Sequence, residues 1–140
     1  MLAEALRVYP DECCGALLGR VEAGGKLVSQ AVPLDNVFAG PHASRYEVRP
    51  SDLARLSRHA RGLGLDLIGI YHSHPDSGAG FSETDLRNSC PWYSFVVLSL
   101  RGGRFAEARS WLPDGAQTKA DEEDLRYPDS YGNSNVSDAQ

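Results

Sequence analysis

Residues 65–75 read LDLIGIYHSHP, and this stretch is the most informative one for predicting the fold. Its first part, residues 65–71, is the most hydrophobic segment of the chain and predicts a central strand that is covered on both faces. The strand runs directly into His72 and His74. Because successive residues of a strand point to opposite faces, both imidazoles are expected on the same side of the sheet. The stretch therefore predicts a buried strand with a pair of histidines at its end.

The segments around this strand predict alternating helices and strands. On the N-terminal side, apolar spacing and turn residues favour a helix at residues 2–9, strands at 13–19 and 26–33, a short strand at 45–48 and a helix that Ser51 caps. On the C-terminal side they favour a helix that opens near Ser82 and two antiparallel strands at 93–100 and 104–112. This order predicts a single α+β (α/β) domain at residues 1–112, with one mixed central sheet flanked by helices.

Charge is unevenly distributed along the chain. The 140 residues have a formal net charge of −5, yet residues 1–120 carry 13 basic and 13 acidic side chains, so the whole excess lies in residues 121–140. A neutral body argues against nucleic-acid binding and against a polybasic membrane-surface protein. No apolar run reaches the roughly 18 residues that span a bilayer. We expect residues 113–140 to form a polar, acidic and largely disordered tail.

Cysteine usage indicates a reducing setting. The three cysteines are Cys13, Cys14 and Cys90, and they do not have the C-x-x-C spacing of a zinc site. An odd number without such spacing also argues against a disulfide framework. We therefore expect a cytoplasmic protein whose cysteines pack in the core, and the sequence assigns them no further role.

A carboxylate follows the two histidines at a fixed distance. Asp85 lies eleven residues after His74, just inside the helix that opens near Ser82. Two imidazoles and one carboxylate are a suitable ligand set for catalytic zinc, with a fourth position left to water. Two other interpretations stay open at this point. Ser82 and Asp85 also form a capping-box pattern that would merely start a helix, and a histidine pair at a strand end can be polar surface.

The combined pattern resembles that of a known metalloprotease family. The run His72-Ser73-His74-Pro75, six further residues and Ser82-Glu83-Thr84-Asp85 resemble the JAMM motif (H-[ST]-H-P-x6-S-x-x-D) of the MPN+ proteins. The run Glu12-Cys13-Cys14-Gly15, which continues into an aliphatic stretch, resembles the family's first strand. The resemblance covers residues 1–112 and implies a single MPN/JAMM domain of the compact bacterial type, with a fold similar to that of the cytidine deaminases.

This resemblance implies a role for each site residue. The implied metal ligands are His72, His74 and Asp85, which would hold one Zn²⁺ ion. Glu12 would act as general base on the zinc-bound water and would later protonate the leaving amine. Ser82 would donate a hydrogen bond to the oxyanion of the tetrahedral intermediate.

The resemblance also implies a function. It predicts a zinc-dependent metallopeptidase or isopeptidase that hydrolyses the amide bond after the C-terminal Gly-Gly tail of a ubiquitin-like sulfur-carrier protein. The alternative is a non-catalytic MPN-type scaffold that binds such a partner, although scaffolds of that type usually lack one or more ligands. Nucleoside deamination is rejected, because it requires His-x-Glu and Pro-Cys-x-x-Cys, which this chain lacks. The carrier, the released group and the formation of a homodimer are left open.

Aromatic residues near the motif carry packing predictions. Phe81 stands where many family members have proline, and we predict that it is a packing anchor or a wall of the groove. Trp92 follows Pro91 at a loop edge and is a candidate for lining the substrate groove. Tyr46 and Trp111 are predicted to be strand and core residues.

Overall fold

The computed structural model describes residues 1–127, and the predicted tail beyond them lies outside the described residues. The elements are α1 (Leu2–Val8), β1 (Cys14–Glu22), β2 (Gly25–Leu34), α2 (Pro50–Gly62), β3 (Asp66–Pro75), α3 (Glu83–Arg87), β4 (Ser94–Arg101), β5 (Arg104–Pro113) and β6 (Ala120–Glu123). The described strands form one sheet in the order β2-β1-β3-β4-β5-β6. Strands β3 and β4 pair in parallel, whereas the other neighbours in this sheet are antiparallel. The predicted mixed α+β architecture is confirmed.

Strand β3 lies at the centre of the sheet, hydrogen-bonded to β1 on one side and to β4 on the other. Its residues 68–73 are buried, as expected for a strand covered on both faces. The strand continues to Pro75, so His72 and His74 lie within it rather than after it. Because parallel strands need a crossover connection, the chain leaves the sheet at Pro75 and forms α3 before it returns at Ser94.

The two long helices pack against different apolar clusters of the sheet. The cluster next to α1 consists of Ala5, Cys13, Leu17, Ile68, Tyr71, Val96, Leu98 and Leu100. The cluster next to α2 consists of Leu18, Ala60 and Leu65. Leu17 and Leu18 belong to different clusters, because neighbours along a strand point to opposite faces. Full burial of one such leucine contributes about 1.5–3 kcal/mol. Within residues 1–127, the helices are too short or too polar to cross a membrane.

Two glycines allow β1 to pack closely. A Cβ atom at Gly15 would overlap the ring of Tyr71, and a Cβ atom at Gly19 would overlap the carbonyl of Leu27. Gly15 and Gly19 are therefore required by packing within the sheet.

The segment between β2 and α2, residues 36–48, differs from the prediction; we call it the strap. The strand predicted at residues 45–48 is wrong, because the main chain there bonds the Asn36 side chain and the Val37 N–H instead of a strand of the sheet. Asn36 Nδ2 donates to the carbonyl of Arg45 (3.0 Å), and the N–H of Glu47 donates to Asn36 Oδ1 (3.1 Å). One asparagine thus takes the place of a strand partner.

Helix α2 also begins differently from the prediction. Its first residue is Pro50, and its N-cap residue is Arg49, which makes no side-chain capping bond. The prediction that Ser51 is the N-cap is therefore wrong, because Ser51 lies inside the helix. Proline suits the first helical position, where its fixed φ is favourable and its missing N–H has no partner to lose.

The sheet extends into the segment that we expected to be disordered. Strand β6 pairs with β5 in antiparallel register from Ser110 opposite Glu123 to Pro113 opposite Ala120. Its acidic side chains find partners on β5, since Ser110 Oγ donates to Glu123 Oε1 (3.1 Å) and Glu122 lies 3.6 Å from the Arg109 guanidinium. The expectation of disorder is therefore wrong for residues 120–123.

Candidate metal centre

The pairing of β1 with β3 brings Glu12 to histidines that lie sixty residues further along the chain. In the antiparallel register Cys14 lies opposite His72, so the main chain two residues earlier reaches the level of His74. Ser73 secures this end of the pairing. Its N–H donates to the Cys13 carbonyl (3.1 Å), and its Oγ accepts from the Cys13 N–H (2.8 Å).

Three donor atoms form a compact triangle, which we call the donor triangle: Nε2 of His72, Nε2 of His74 and Oδ2 of Asp85. The two nitrogens are 3.1 Å apart, and the carboxylate oxygen lies 3.2 Å from each of them. Tetrahedral zinc with bonds of about 2.0–2.1 Å separates its ligands by roughly 3.3–3.4 Å. Because the triangle is within about 0.2 Å of one face of that tetrahedron, the donor set fits a zinc ion.

Helix α3 holds Asp85 through a complete capping box. Ser82 Oγ accepts from the Asp85 N–H (3.0 Å), and the Ser82 N–H donates to Asp85 Oδ2 (3.1 Å). The two interpretations of this segment are therefore compatible, since the same carboxylate caps the helix and completes the donor triangle. The Ser82 hydroxyl is an acceptor in the capping bond, so its proton is left for another acceptor.

The two histidines are oriented by different means. His74 Nδ1 lies 2.8 Å from the carbonyl of Gly78. Because a carbonyl can only accept, Nδ1 carries a proton, and Nε2 is the ring nitrogen that faces the donor triangle. His72 is fully buried, and its Nδ1 has no hydrogen-bond partner among the described residues.

Glu12 stands beside the donor triangle with a free carboxylate oxygen. The side chain is 6% exposed, and its Oε2 has no hydrogen-bond partner in the described part of the chain. A ligand atom of Glu12 lies within 4.8 Å of ligand atoms of His72 and His74. Burial raises the pKa of Glu12 to about 7. A buried carboxylate oxygen without a partner, next to two imidazoles, fits a site built to bind a metal and water.

Burial and proximity also set the protonation states of the donor triangle. Burial lowers the pKa of His72 and so favours its neutral imidazole. Burial would raise the pKa of Asp85, but hydrogen bonds with His72 and His74 outweigh it and hold the pKa below the usual range of a carboxyl group. Neutral imidazole and ionised carboxylate are the forms that coordinate metals.

The site opens into a pocket of about 250 Å³. Glu12, His74, Ser82 and Asp85 line this pocket, and His72 lies buried behind it. The five residues singled out in the sequence therefore lie together, and their chemical roles stay predictions. A second pocket of about 380 Å³ adjoins the first and shares three lining residues with it: Arg45, Tyr46 and Asn88.

The aromatic residues near the motif take different positions. Phe81 packs against Phe95 and Trp111, with ring centroids 5.4 and 6.5 Å apart, which confirms its predicted packing. Trp92 is 77% exposed and lines neither of the two pockets, and its role as a groove residue stays a prediction. Tyr46, predicted as a strand and core residue, instead stacks on His72 with ring centroids 4.4 Å apart.

Residues that the sequence does not identify hold the loop between Pro75 and Ser82. The indole of Trp111 donates to the Ala79 carbonyl (2.9 Å), and the Ala79 N–H donates to Glu107 (3.3 Å). The hydroxyl of Ser99 also donates to the carbonyl of Ser77. These bonds fix the loop whose Gly78 carbonyl orients His74. A single sequence holds no signal for them, because they join positions that share no motif or period.

Comparison with known proteins gives a family. The profile of prokaryotic homologs of the JAB domain matches residues 1–113. The chain is similar to a JAB1/MPN domain protein from Archaeoglobus fulgidus of known structure, with a TM-score of 0.56 and 17% identity over 89% of this chain and 87% of that one. This likeness shows the fold.

Three relatives carry names that describe an activity. A desampylase of Haloferax volcanii is 37% identical over 75% of this chain and 73% of its own length. A CysO-cysteine peptidase of Mycobacterium tuberculosis is 31% identical over 85% of this chain and 80% of its own length. A probable TtuB-protein conjugate cleaving protease of Thermus thermophilus is 32% identical over 82% of this chain and 71% of its own length.

Proposed function

The chain belongs to the family of prokaryotic homologs of the JAB domain and is a peptidase of that family, and we propose that it cleaves conjugates of a ubiquitin-like sulfur-carrier protein after a Gly-Gly tail, with one zinc ion at the donor triangle. The names of the relatives support this substrate class. The single observation that carries the proposal is the donor triangle with the unpartnered Glu12 carboxylate beside it.

The donor triangle would hold the metal through His72, His74 and Asp85. Zinc bound there would polarise the scissile carbonyl and lower the pKa of a water molecule toward about 7. The capping box supports this role, because it fixes the Asp85 carboxylate on the main chain of Ser82.

Glu12 would move the protons of the reaction. Its Oε2 takes a proton from the attacking water and delivers it to the nitrogen of the leaving amine. The buried carboxylate supports both steps by its position, because a general acid–base group must lie within one hydrogen bond of the proton that it moves. The N–H of Glu12 donates to the His42 carbonyl (2.7 Å), which holds the main chain of the base in place.

Ser82 would stabilise the oxyanion. Its hydroxyl accepts in the capping bond, and its own proton can point to the carbonyl oxygen of the substrate. A donor at this position contributes on the order of 2.7–4 kcal/mol in hydrolases.

The strap offers an edge for an extended tail. The main-chain groups of Arg45 and Glu47 bond Asn36 and Val37, whereas the main chain of Tyr46 has no hydrogen bond to any described residue. Tyr46 lies where the two pockets meet. We propose that the Gly-Gly tail lies along this edge and adds main-chain hydrogen bonds like an extra strand.

Cleavage of a defined conjugate tests the proposal. The substrate is a sulfur-carrier protein whose Gly-Gly end is joined by an amide bond to a short peptide, and mass spectrometry detects the released peptide. Wild-type protein loaded with one zinc ion should release the peptide. The Glu12→Gln variant should keep the zinc, but its cleavage rate should fall by about 10²–10⁴-fold. A carrier that ends in Ala-Ala is the matched substrate control.

Two outcomes would contradict the proposal. Zinc-loaded protein that releases nothing, or a Glu12→Gln variant that cleaves as fast as the wild type, would overturn the peptidase mechanism. Tight binding of the conjugate without zinc and without cleavage would instead support the alternative, a scaffold.

We also propose a reducing, cytoplasmic setting, which the free thiols of Cys13, Cys14 and Cys90 support.

A further inference from the structure

The buried histidine of the donor triangle lacks the usual means of orientation. A metal-bound histidine ordinarily donates its second ring N–H to a carboxylate, a carbonyl or a water molecule. His74 follows this rule through the Gly78 carbonyl at 2.8 Å. His72 is 0% exposed, and none of the described residues accepts a hydrogen bond from its Nδ1. Among the described residues, the orientation of this ring therefore depends on its Nε2 contacts in the donor triangle and on packing against its faces.

The contact that remains is an aromatic one. The ring of Tyr46 stacks on the imidazole of His72 with centroids 4.4 Å apart and an angle of 25° between the planes. The rings of His72 and His74 meet at an angle of 62°, with centroids 4.9 Å apart. A flat ring stacked at this distance resists rotation of the imidazole about its Cβ–Cγ bond, because a rotated ring would collide with it.

We propose that Tyr46 is a positioning residue, whose stacked ring holds the His72 imidazole so that Nε2 faces the metal. The inference rests on the proposed function, in which His72 is a zinc ligand. It adds a residue that supplies no donor atom and acts through the orientation of another.

Asn36 fixes the place of Tyr46 from both sides. Its Nδ2 donates to the carbonyl of Arg45 (3.0 Å), the residue before Tyr46. Its Oδ1 accepts from the N–H of Glu47 (3.1 Å), the residue after Tyr46. The same amide also bonds the Glu12 carbonyl (3.5 Å) and the Phe38 N–H (3.1 Å), so both donors and both acceptor positions are used. One side chain thus ties the stacked tyrosine to the main chain of the base.

The test measures zinc affinity by competition with a chromophoric chelator. Tyr46→Phe keeps the ring and should keep the wild-type affinity. Tyr46→Leu removes the ring and should weaken zinc binding by roughly 10–100-fold, as loss of other orienting contacts does. The absorption spectrum of bound Co²⁺ is a second readout, and it should change in Tyr46→Leu but not in Tyr46→Phe, because it reports ligand geometry.

Thermal unfolding of the metal-free variants shows whether each one folds. If Tyr46→Leu does not fold, Asn36→Leu replaces it, because this change of similar volume removes the amide donors and acceptor without adding a charge and should also lower the zinc affinity. A folded Tyr46→Leu with wild-type affinity, or a Tyr46→Phe that loses as much as Tyr46→Leu, would overturn the inference. In the Asn36→Leu arm, wild-type affinity would do so.

The same measurements separate this inference from the proposed function. Wild-type protein that binds no zinc would overturn the proposed function itself. Wild-type protein that binds zinc and cleaves the conjugate, together with variants of unchanged affinity, would overturn only the role of Tyr46.

Discussion

The motif segment, residues 72–85, and the strap, residues 36–48, face the same pocket but contribute different things to it. The motif segment supplies the donor triangle and the hydroxyl of Ser82. The strap supplies no atom to that triangle. It contributes the ring of Tyr46 against His72 and the hydrogen bonds of Asn36 around it. In the proposed function the motif segment would hold the metal, and the strap would keep one of its ligands in position.

The difference between the two segments shows which interactions can be predicted from a sequence. The two histidines share a face because of the period of a strand, and Asp85 reaches them from the first turn of a capped helix. Both pairs of positions are close in the sequence, so a fixed number of intervening residues identifies them. The strap acts through contacts that join distant positions, such as Tyr46 with His72, and no spacing encodes them.

The largest effect is expected from the motif segment, on replacing Asp85 with alanine. Asp85→Ala removes one corner of the donor triangle, so bound zinc should fall from about one ion per chain to almost none, and peptidase activity should disappear with it. Elemental analysis after gel filtration measures the zinc. The substitution also removes one of the two capping-box bonds, which costs about 1 kcal/mol, so an unfolding curve should confirm that the variant is folded. Retention of one zinc would place the metal elsewhere.

A smaller effect within the motif segment is expected at Ser82. Ser82→Ala should lower kcat by roughly 10²–10³-fold with zinc content unchanged, because it removes the proposed oxyanion donor. Ser82→Thr keeps the hydroxyl and is the matched control. Steady-state rates on the carrier conjugate measure both. Equal kcat in Ser82→Ala and the wild type would reduce the role of Ser82 to helix capping.

The strap should respond in stability rather than in metal content. Asn36→Ala removes the amide that bonds Arg45, Glu47 and Glu12, and should lower the free energy of unfolding by about 1–3 kcal/mol. At saturating zinc the variant should still hold about one ion per chain. Urea unfolding and elemental analysis measure the two quantities. A folded variant that holds no zinc under these conditions would contradict the separate roles of the motif segment and the strap.

The smallest effect concerns Glu12, which contacts both segments. Burial raises its pKa from 4.5 to about 7 in the folded protein. Because the folded-state value is the higher one, the stability from the protonated carboxyl is complete below pH 4.5 and is lost as the pH rises through 7.

Unfolding of metal-free protein checks this pH dependence. Between about pH 5 and pH 8 the wild type should lose up to about 2 kcal/mol relative to Glu12→Gln, after allowance for solvent screening. Parallel pH profiles of the two proteins would show that the carboxyl of Glu12 is solvated.

Much of the fold could be predicted because its elements are local. The apolar run before His72 indicates a buried strand, and the Ser82 capping box indicates the start of α3, as the structure has them. Strand β6 could not be predicted, because one alanine and three acidic residues show no apolar alternation and pair through their main chain. The strand predicted at residues 45–48 failed for the opposite reason. Its residues look like strand formers, but Asn36 takes the hydrogen bonds that a neighbouring strand would make.

The residues of the site likewise fall into those that the sequence identifies and those that it does not. The donors and Glu12 could be singled out because their spacing resembles a family motif, even though sixty residues separate Glu12 from His72. Tyr46, Asn36 and Trp111 could not, since each acts on the site through one contact that only the folded chain creates. Groups that carry chemistry are restricted in residue type, whereas groups that hold them can be of many types.

Anomalous diffraction at the zinc edge, from crystals of protein loaded with one equivalent of zinc, directly tests whether the donor triangle binds the metal. We predict a single peak about 2.0–2.2 Å from each of three atoms: His72 Nε2, His74 Nε2 and Asp85 Oδ2. Glu12 should lie beside the metal without binding it. A peak bonded to Glu12, His72 and His74 but not to Asp85, or no peak at this site, would contradict the account.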